Sequence, residues 1–297
     1  TRRQGLFYTA DGGNTWAEVL SHEVFPCAFW GPSPWSFPPP DCWSWGEILR
    51  QPNGGLIVGG GCGTYVSFDR GATWQEAGDQ DLWPLGHSSD DRLWYVHDIL
   101  GQFLRGDGQD ANWQACGELP YAPYPERLVQ AVVFHDSEPD VALVGRYGGD
   151  AFRTEDGCQS WTQTGAAFAE CRIYWLGADP ERPGRYLVSS SCGLWESTDQ
   201  ALTWREIDIS QMTFRELLFD PNRPDVVYAV SYYDGIHVST DRGVSWRLLG
   251  HAPDETLTVD IALDPDGSAL FIAVYGDGVY RLTLPSRFDR VRETSPQ

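Results

Sequence analysis

Five stretches of the chain end alike. "GLFYTADGGNTW" closes at Trp16, "GTYVSFDRGATW" at Trp74, "DAFRTEDGCQSW" at Trp161, "GLWESTDQALTW" at Trp204 and "GIHVSTDRGVSW" at Trp246. A degenerate sixth copy with one inserted residue, "GQFLRGDGQDANW", closes at Trp113. Successive tryptophans lie 58, 39, 48, 43 and 42 residues apart, so one unit of about 42 residues recurs, with a large insertion near the start. Such a unit cannot bury both its faces alone, and the copies must stack on one another.

The copy at 214–250 shows what is stacked. "FRELLF" alternates, "DPNRPD" is turn chemistry, "VVYAVS" and "GIHVS" are β-branched and aromatic runs, and "SWRLL" follows the aspartate turn. That is four strands, A to D, joined as hairpins, and helical periodicity is sustained nowhere. The expected fold is therefore all-β: a β-propeller of four-stranded antiparallel blades. A β-helix would need shorter coils and gives no reason for four distinct strands. Seven C-type strands but only six A and B pairs are visible. Either the first unit's inner strands lie upstream of Thr1, giving the seven blades we expect, or the ends close a ring of six.

The pattern S/T-x-D-x-G-x-S/T-W, at Ser67–Trp74, Thr154–Trp161, Ser197–Trp204 and Ser239–Trp246, resembles the Asp-box, or BNR, repeat of sialidase-like propellers. With the "DP..RPD" turns, the similarity spans nearly the whole chain. It implies architecture and leaves function open, because the repeat occurs in sialidases, xyloglucan hydrolases, sortilin-type receptors and photosystem II assembly factors alike. In those families the motif lies away from the active face. Here the aspartates (Asp11, Asp69, Asp156, Asp199, Asp241) are expected to cap their own turns, and the tryptophans (Trp16, Trp74, Trp161, Trp204, Trp246) to pack between blades. The motif glycine takes a conformation that a side chain would resist.

The repeat makes residues 1–297 one domain, with an aromatic, proline-rich loop inserted at 22–44. Fourteen tryptophans with 13 tyrosines and 13 phenylalanines supply ample core. The net charge of −21, with arginine as the only basic side chain besides histidine, argues against nucleic acid and anionic membranes as partners. No apolar run approaches the roughly 20 residues that cross a bilayer. Acidity also arises as plain genome or salt adaptation.

In a propeller the B-to-C and D-to-A loops share one end, opposite the aspartate turns. That end should gather His97, Asp98, Arg146, Tyr147, Asp150, Tyr232, Tyr233, Asp234, Tyr275 and Asp277, a set suited to a glycan, a cation or a basic peptide. The competing explanation is that Asp-Gly and Gly-Asp simply close hairpins. The insertion adds Trp30, Trp35 and Trp43 to the same end, as a recognition surface or as a lid over the channel mouth.

For enzymes the pattern is poor. A glycosidase needs two carboxyls across a bond, and nothing selects a pair. The arginine triad and tyrosine nucleophile that sialidase resemblance would imply have no counterpart, since "CRIYW" at 171–175 lacks the proline and sits mid-chain. Xyloglucanases of this repeat class use two propellers. No metal-binding or cofactor motif appears. "RGD" at 105–107 falls in the degenerate turn. The expectation is a non-catalytic recognition or assembly propeller binding a protein or glycan, with a glycan-active hydrolase as the alternative and the oligomeric state open.

Cysteines complete the picture. Cys42 precedes an A strand and Cys62 ends the following B strand; Cys171 and Cys192 hold the same two places in another blade. The start of A and the end of B are neighbours, so Cys42–Cys62 and Cys171–Cys192 are the expected disulfides, with Cys27–Cys42 as rival and Cys27, Cys116 and Cys158 left over. Disulfides imply an oxidising, exported setting, and buried thiols in a cytosolic protein are the counter-reading.

Overall fold

The computed structural model describes residues 6–9, 15–20, 45–51, 54–60, 63–78, 82–97, 102–106, 114–122, 129–135, 137–209, 212–231, 234–251, 258–274, 278–285 and 288. They fall in two compact units, one within Thr1–Pro120, Ser137–Val141 and Thr154–Trp161, the other within Tyr121–Asp136, Ala142–Arg153 and Thr162–Gln297.

The chain opens with a hairpin of β1 (Leu6–Tyr8) and β2 (Ala17–Leu20), the two outer strands of the first repeat. Two four-stranded sheets follow: β3 (Trp45–Arg50), β4 (Leu56–Gly60), β5 (Gly63–Ser67) and β6 (Gln75–Gly78), then β7 (Leu82–His87), β8 (Leu93–His97), β9 (Gln102–Gly106) and β10 (Gln114–Ala115). The next three sheets comprise β11 (Val129–Phe134), β12 (Ala142–Arg146), β13 (Ala151–Thr154) and β14 (Thr162–Thr164); β15 (Ile173–Ala178), β16 (Tyr186–Ser190), β17 (Gly193–Ser197) and β18 (Arg205–Ile207); and β19 (Phe214–Phe219), β20 (Val227–Ser231), β21 (Gly235–Ser239) and β22 (Arg247–Gly250). A three-stranded sheet, β23 (Thr258–Leu263), β24 (Ala269–Val274) and β25 (Gly278–Thr283), ends the series. Every sheet is an antiparallel meander with spatial order equal to chain order.

Burial grades across each sheet. The second strands β12, β16 and β20 are buried at every position, whereas the fourth strands β14 and β22 have no fully buried position. A strand covered on both faces needs a continuous apolar run, which is why "VYAVS" does not alternate. Facing sheets share their cores: Leu187, Leu194 and Ile207 of one pack with Phe214, Leu217, Val227 and Ala229 of the next. Another layer joins Tyr228, Val230, Ile236 and Val238 to Ile261, Leu270, Ile272 and Val274. These are sheet-on-sheet interfaces, which a strand pair alone could not supply.

The aspartate turns behave as their spacing requires. In 239–246, Ser239 Oγ donates to Asp241 Oδ1 at 2.7 Å, the Ser245 amide donates to the same oxygen at 2.8 Å, and the Gly243 amide donates to Ser239 Oγ at 2.7 Å. The turns at Asp69, Asp156 and Asp199 repeat that arrangement. Two consecutive residues take positive φ in each: Arg70 and Gly71, Gly157 and Cys158, Gln200 and Ala201, Arg242 and Gly243. The glycine position thus carries a side chain in two of four copies. The tryptophans are half-buried. Trp246 joins the Leu187–Ala229 cluster with its ring 4.6 Å from that of Phe214, and Trp204 sits 5.2 Å from Phe168. Trp16 departs from the expectation: among the described residues it is 48% exposed. Asp11 and the insertion at 22–44 lie outside the described residues.

Candidate functional site

The loops joining second to third strands and the starts of the first strands meet at one end of each blade. In the second unit this end is built by a recurring irregularity. The register of β11 on β12, β15 on β16 and β19 on β20 slips at Val129/Ala131, Ile173/Trp175 and Phe214/Glu216. A bulge inserts one extra residue into the strand and re-aims it. Those residues are Gln130, Tyr174 and Arg215, and the Arg215 guanidinium lies over the Tyr174 ring at 5.4 Å.

Arg146 ends β12 and is 4% exposed. Its guanidinium stacks on the Phe152 ring at 4.9 Å, and its Nε is buried without a hydrogen-bond partner. Burial pulls this guanidinium below its ordinary range, while the Asp150 charge opposes the shift. Asp150 is half-committed elsewhere, accepting from Gln163 Nε2 at 3.0 Å. Beside them, the Arg172 guanidinium covers the Tyr147 ring at 4.8 Å, and the Arg172 amide donates to Ser191 Oγ at 3.0 Å. The expected Cys171–Cys192 disulfide is present with Cα atoms 5.6 Å apart, holding the start of β15 against the β16–β17 turn.

In the next blade Asp234 accepts from Ser231 Oγ at 2.9 Å, so this carboxylate closes its own hairpin. His237 on β21 is buried against Phe214 with Nδ1 unpartnered. Burial lowers its pKa, with the Gly235 backbone and Asp234 pulling the other way.

Of the residues picked from sequence, Arg146, Tyr147, Asp150 and Asp234 are described here, and His97 ends β8. Asp98, Tyr232, Tyr233, Tyr275, Asp277, Trp30, Trp35, Trp43, Cys42 and Cys62 lie outside the described residues. Sequence reasoning missed Arg172, Tyr174 and Arg215, because it drew its candidates from the loops after the second strands and from the insertion, and none from the other first-strand starts; "CRIYW" and "TFRELL" were the available signal. It also left Cys116 and Cys158 unassigned. They form a disulfide with Cα atoms 5.1 Å apart at the opposite, aspartate-turn end, where the Gly117 amide donates to the Cys158 carbonyl at 2.7 Å. The Arg105 of "RGD" is buried and paired with Asp140 at 2.8 Å, which argues against its display to a receptor.

No family model and no curated protein matches the sequence. Among solved structures, the chain is similar to YCF48 bound to D1 peptide, with a TM-score of 0.68 at 16% identity over 96% of this chain and 91% of that one. The fold is a β-propeller. It is also similar to an ancestral GH74 enzyme (TM-score 0.52, 17% identity, 63% of this chain), of which it spans 26%. A third likeness is to the extracellular domain of the B. thetaiotaomicron hybrid two-component system BT4673 (TM-score 0.60, 15% identity, 82% of this chain), of which it spans 32%. Among the described residues no helix is long and apolar enough to cross a membrane.

Proposed function

We propose that this chain is a non-catalytic, exported recognition propeller of the Asp-box type, a single domain of seven blades that holds a protein partner at the end carrying Arg146. The observation that carries the reading is the buried Arg146 guanidinium, which feels the Asp150 charge but whose Nε has no hydrogen-bond partner and which makes no ion pair among the described residues. Burying a cation alone is costly, and a ligand carboxylate offsets that cost with charge-assisted, bidentate hydrogen bonds. Arg172 and Arg215 extend the positive lane, and the Tyr147 and Tyr174 rings beneath them hold the guanidinium planes in place. The lane inverts the charge expected from composition: a chain of net −21 concentrates cations here, so the partner segment is acidic.

Further support comes from the company the fold keeps, since YCF48, of similar architecture, is solved with a peptide bound. The hydrolase alternative finds less. Asp150 and Asp234, the two carboxylates picked from sequence that are described at this end, are each engaged within their own blade rather than facing one another across a cleft. The two disulfides support export.

Affinity capture from the native host with the tagged chain, run in parallel with Arg146→Met, tests the reading. Stoichiometric recovery of one partner, lost in the variant while its unfolding midpoint stays put, is the expected result. Turnover of a defined oligosaccharide, or equal recovery by Arg146→Met, would overturn it.

A further inference from the structure

The blade built from β3 to β6 departs from its siblings at the opposite, aspartate-turn end. In the blade of β19 to β22, Arg242 of the motif turn is neutralised locally: its Nε donates to Asp225 Oδ1 at 3.0 Å, its amide to the Asp225 carbonyl at 3.0 Å, and its Nη1 to Asp179 Oδ1 at 3.0 Å. Arg70 holds the same motif position in the β3–β6 blade. Strand register aligns Leu56 with Val227, because Arg50 pairs with Leu56 as Phe219 pairs with Val227. Counted back from the strand, Gly54 takes the place of Asp225, in a loop two residues shorter, and a Cβ built there would meet nothing within 4 Å. The carboxylate that would neutralise Arg70 has been replaced by open space.

Three more exchanges accompany it. Arg50 stands where the other blades place Ala178, Phe219 and Phe134. Phe68 occupies the motif position held by Glu155, Thr198 and Thr240, and is 67% exposed. Gln51 replaces Asp179 and Asp220, the buried acids of the sibling turns. Arg50, Gly54, Gly55, Leu56, Phe68 and Arg70 line one cavity of about 660 Å³. No ion pair to Arg50 or Arg70 occurs among the described residues.

From this geometry we infer a second ligand site, at the aspartate-turn end of the β3–β6 blade, for an acidic saccharide whose carboxylate sits between Arg50 and Arg70 and whose ring lies on Phe68. Two guanidiniums offer planar forks that match a carboxylate, and an exposed aromatic face takes the apolar C–H face of a sugar ring. An extended acidic peptide fits less well: the cations converge on one cavity instead of tracking along a strand, and one ring serves one flat group. The site is independent of the Arg146 end, and neither stands or falls with the other.

Tetragalacturonate is the probe, titrated calorimetrically into the oxidised full chain. Binding should weaken at least tenfold in Gly54→Asp, which restores the sibling carboxylate beside Arg70, and stay within twofold in Gly54→Asn, which imposes the same backbone demand without charge. Phe68→Thr, the sibling residue, should also lose about tenfold, with an unchanged unfolding midpoint. The inference is overturned if the probe does not bind, if Gly54→Asp and Gly54→Asn behave alike, or if neutral tetragalactose or a tetraglutamate peptide binds as tightly.

Discussion

Within the second unit the two ends of the blades treat their charges in opposite ways. At the aspartate-turn end of the second unit, Arg185 is 3% exposed yet fully engaged, donating to Glu196 Oε1 at 2.6 Å, Asp179 Oδ2 at 2.8 Å and the Arg242 carbonyl at 2.8 Å. At the other end Arg146 is equally buried and has no such partners, and His237 keeps an unpartnered Nδ1. Buried polar groups satisfied from within act as structure, and those left open invite a ligand. The contrast sorts arginines by role, which net charge and position in the repeat do not.

Breaking the satisfied end should do the most damage. Arg185→Met leaves Asp179 and Glu196 buried with reduced compensation and is expected to cost about 3–5 kcal/mol, the usual penalty for removing one partner of a buried charge network. Urea unfolding at pH 7 measures it. Arg146→Met, at the open end, should lie within about 1 kcal/mol of the parent, because no buried acid is orphaned there. Equal losses in the two variants would erase the distinction between the ends.

Disulfides mark both ends and rank next. In the chain-entropy picture, removing Cys116–Cys158 should cost about 4 kcal/mol and removing Cys171–Cys192 about 3 kcal/mol, since the first closes the longer loop. Serine variants followed by urea unfolding test the order. Non-reducing peptide mapping checks the pairs themselves, and alkylation of Cys171 or Cys158 without prior reduction would refute them.

The difference between those two bridges shows what sequence could convey. Cys171 and Cys192 occupy one blade, and antiparallel pairing of consecutive strands puts the start of one beside the end of the next, so alternation and turn residues suffice. Cys116 meets Cys158 through the way a strand's tail lies against another turn, which no local periodicity encodes. The four-strand grammar was legible because turn chemistry and burial agree at every hairpin. The bulges that present Tyr174 and Arg215 were not, because a bulge preserves composition while shifting which face a residue serves. Likewise the vacancy beside Arg70 appears only when register sets Gly54 against Asp225.

Trp246 tests the packing at the turn. Its ring covers Phe214 and its Nε1 donates to the Gly243 carbonyl at 3.0 Å. Trp246→Ala should cost about 2–3 kcal/mol, below the figure for a fully buried aromatic because the ring is half-buried. An unchanged melting temperature would mean the ring serves a ligand rather than the core.

Acid should unmask both ends in sequence. His237 is held neutral, with a folded pKa below the ordinary value near 6.5, so its contribution is present above that pH and is lost as pH falls toward the folded value. The turn carboxylates respond later. Hydrogen bonds from Thr73 bring Asp69 down to about 2, and those from Ser160 and Thr203 lower Asp156 and Asp199; their stabilisation is present above about pH 4 and lost as pH falls through the folded values. Urea midpoints against pH should show two descending limbs, and His237→Gln should flatten only the first.

The smallest expected effect separates turns that look identical by motif. Gly243 sits at φ +90°, whereas Ala201 and Cys158 hold the same position at +66° and +74°, nearer the left-handed minimum that L residues reach at about +57°. An alanine at 243 must rotate toward that minimum against the three hydrogen bonds that fix the turn, and its methyl would meet Leu187 Cδ1 at 3.3 Å. Gly243→Ala should therefore cost about 1 kcal/mol. Ala201→Gly removes left-handed strain but gives up a buried methyl and gains chain entropy in the unfolded state, so it should fall within about 0.5 kcal/mol of the parent. A stabilisation of 201 as large as the loss at 243, read from paired urea titrations, would show that the side-chain-bearing turns are strained copies rather than relaxed ones.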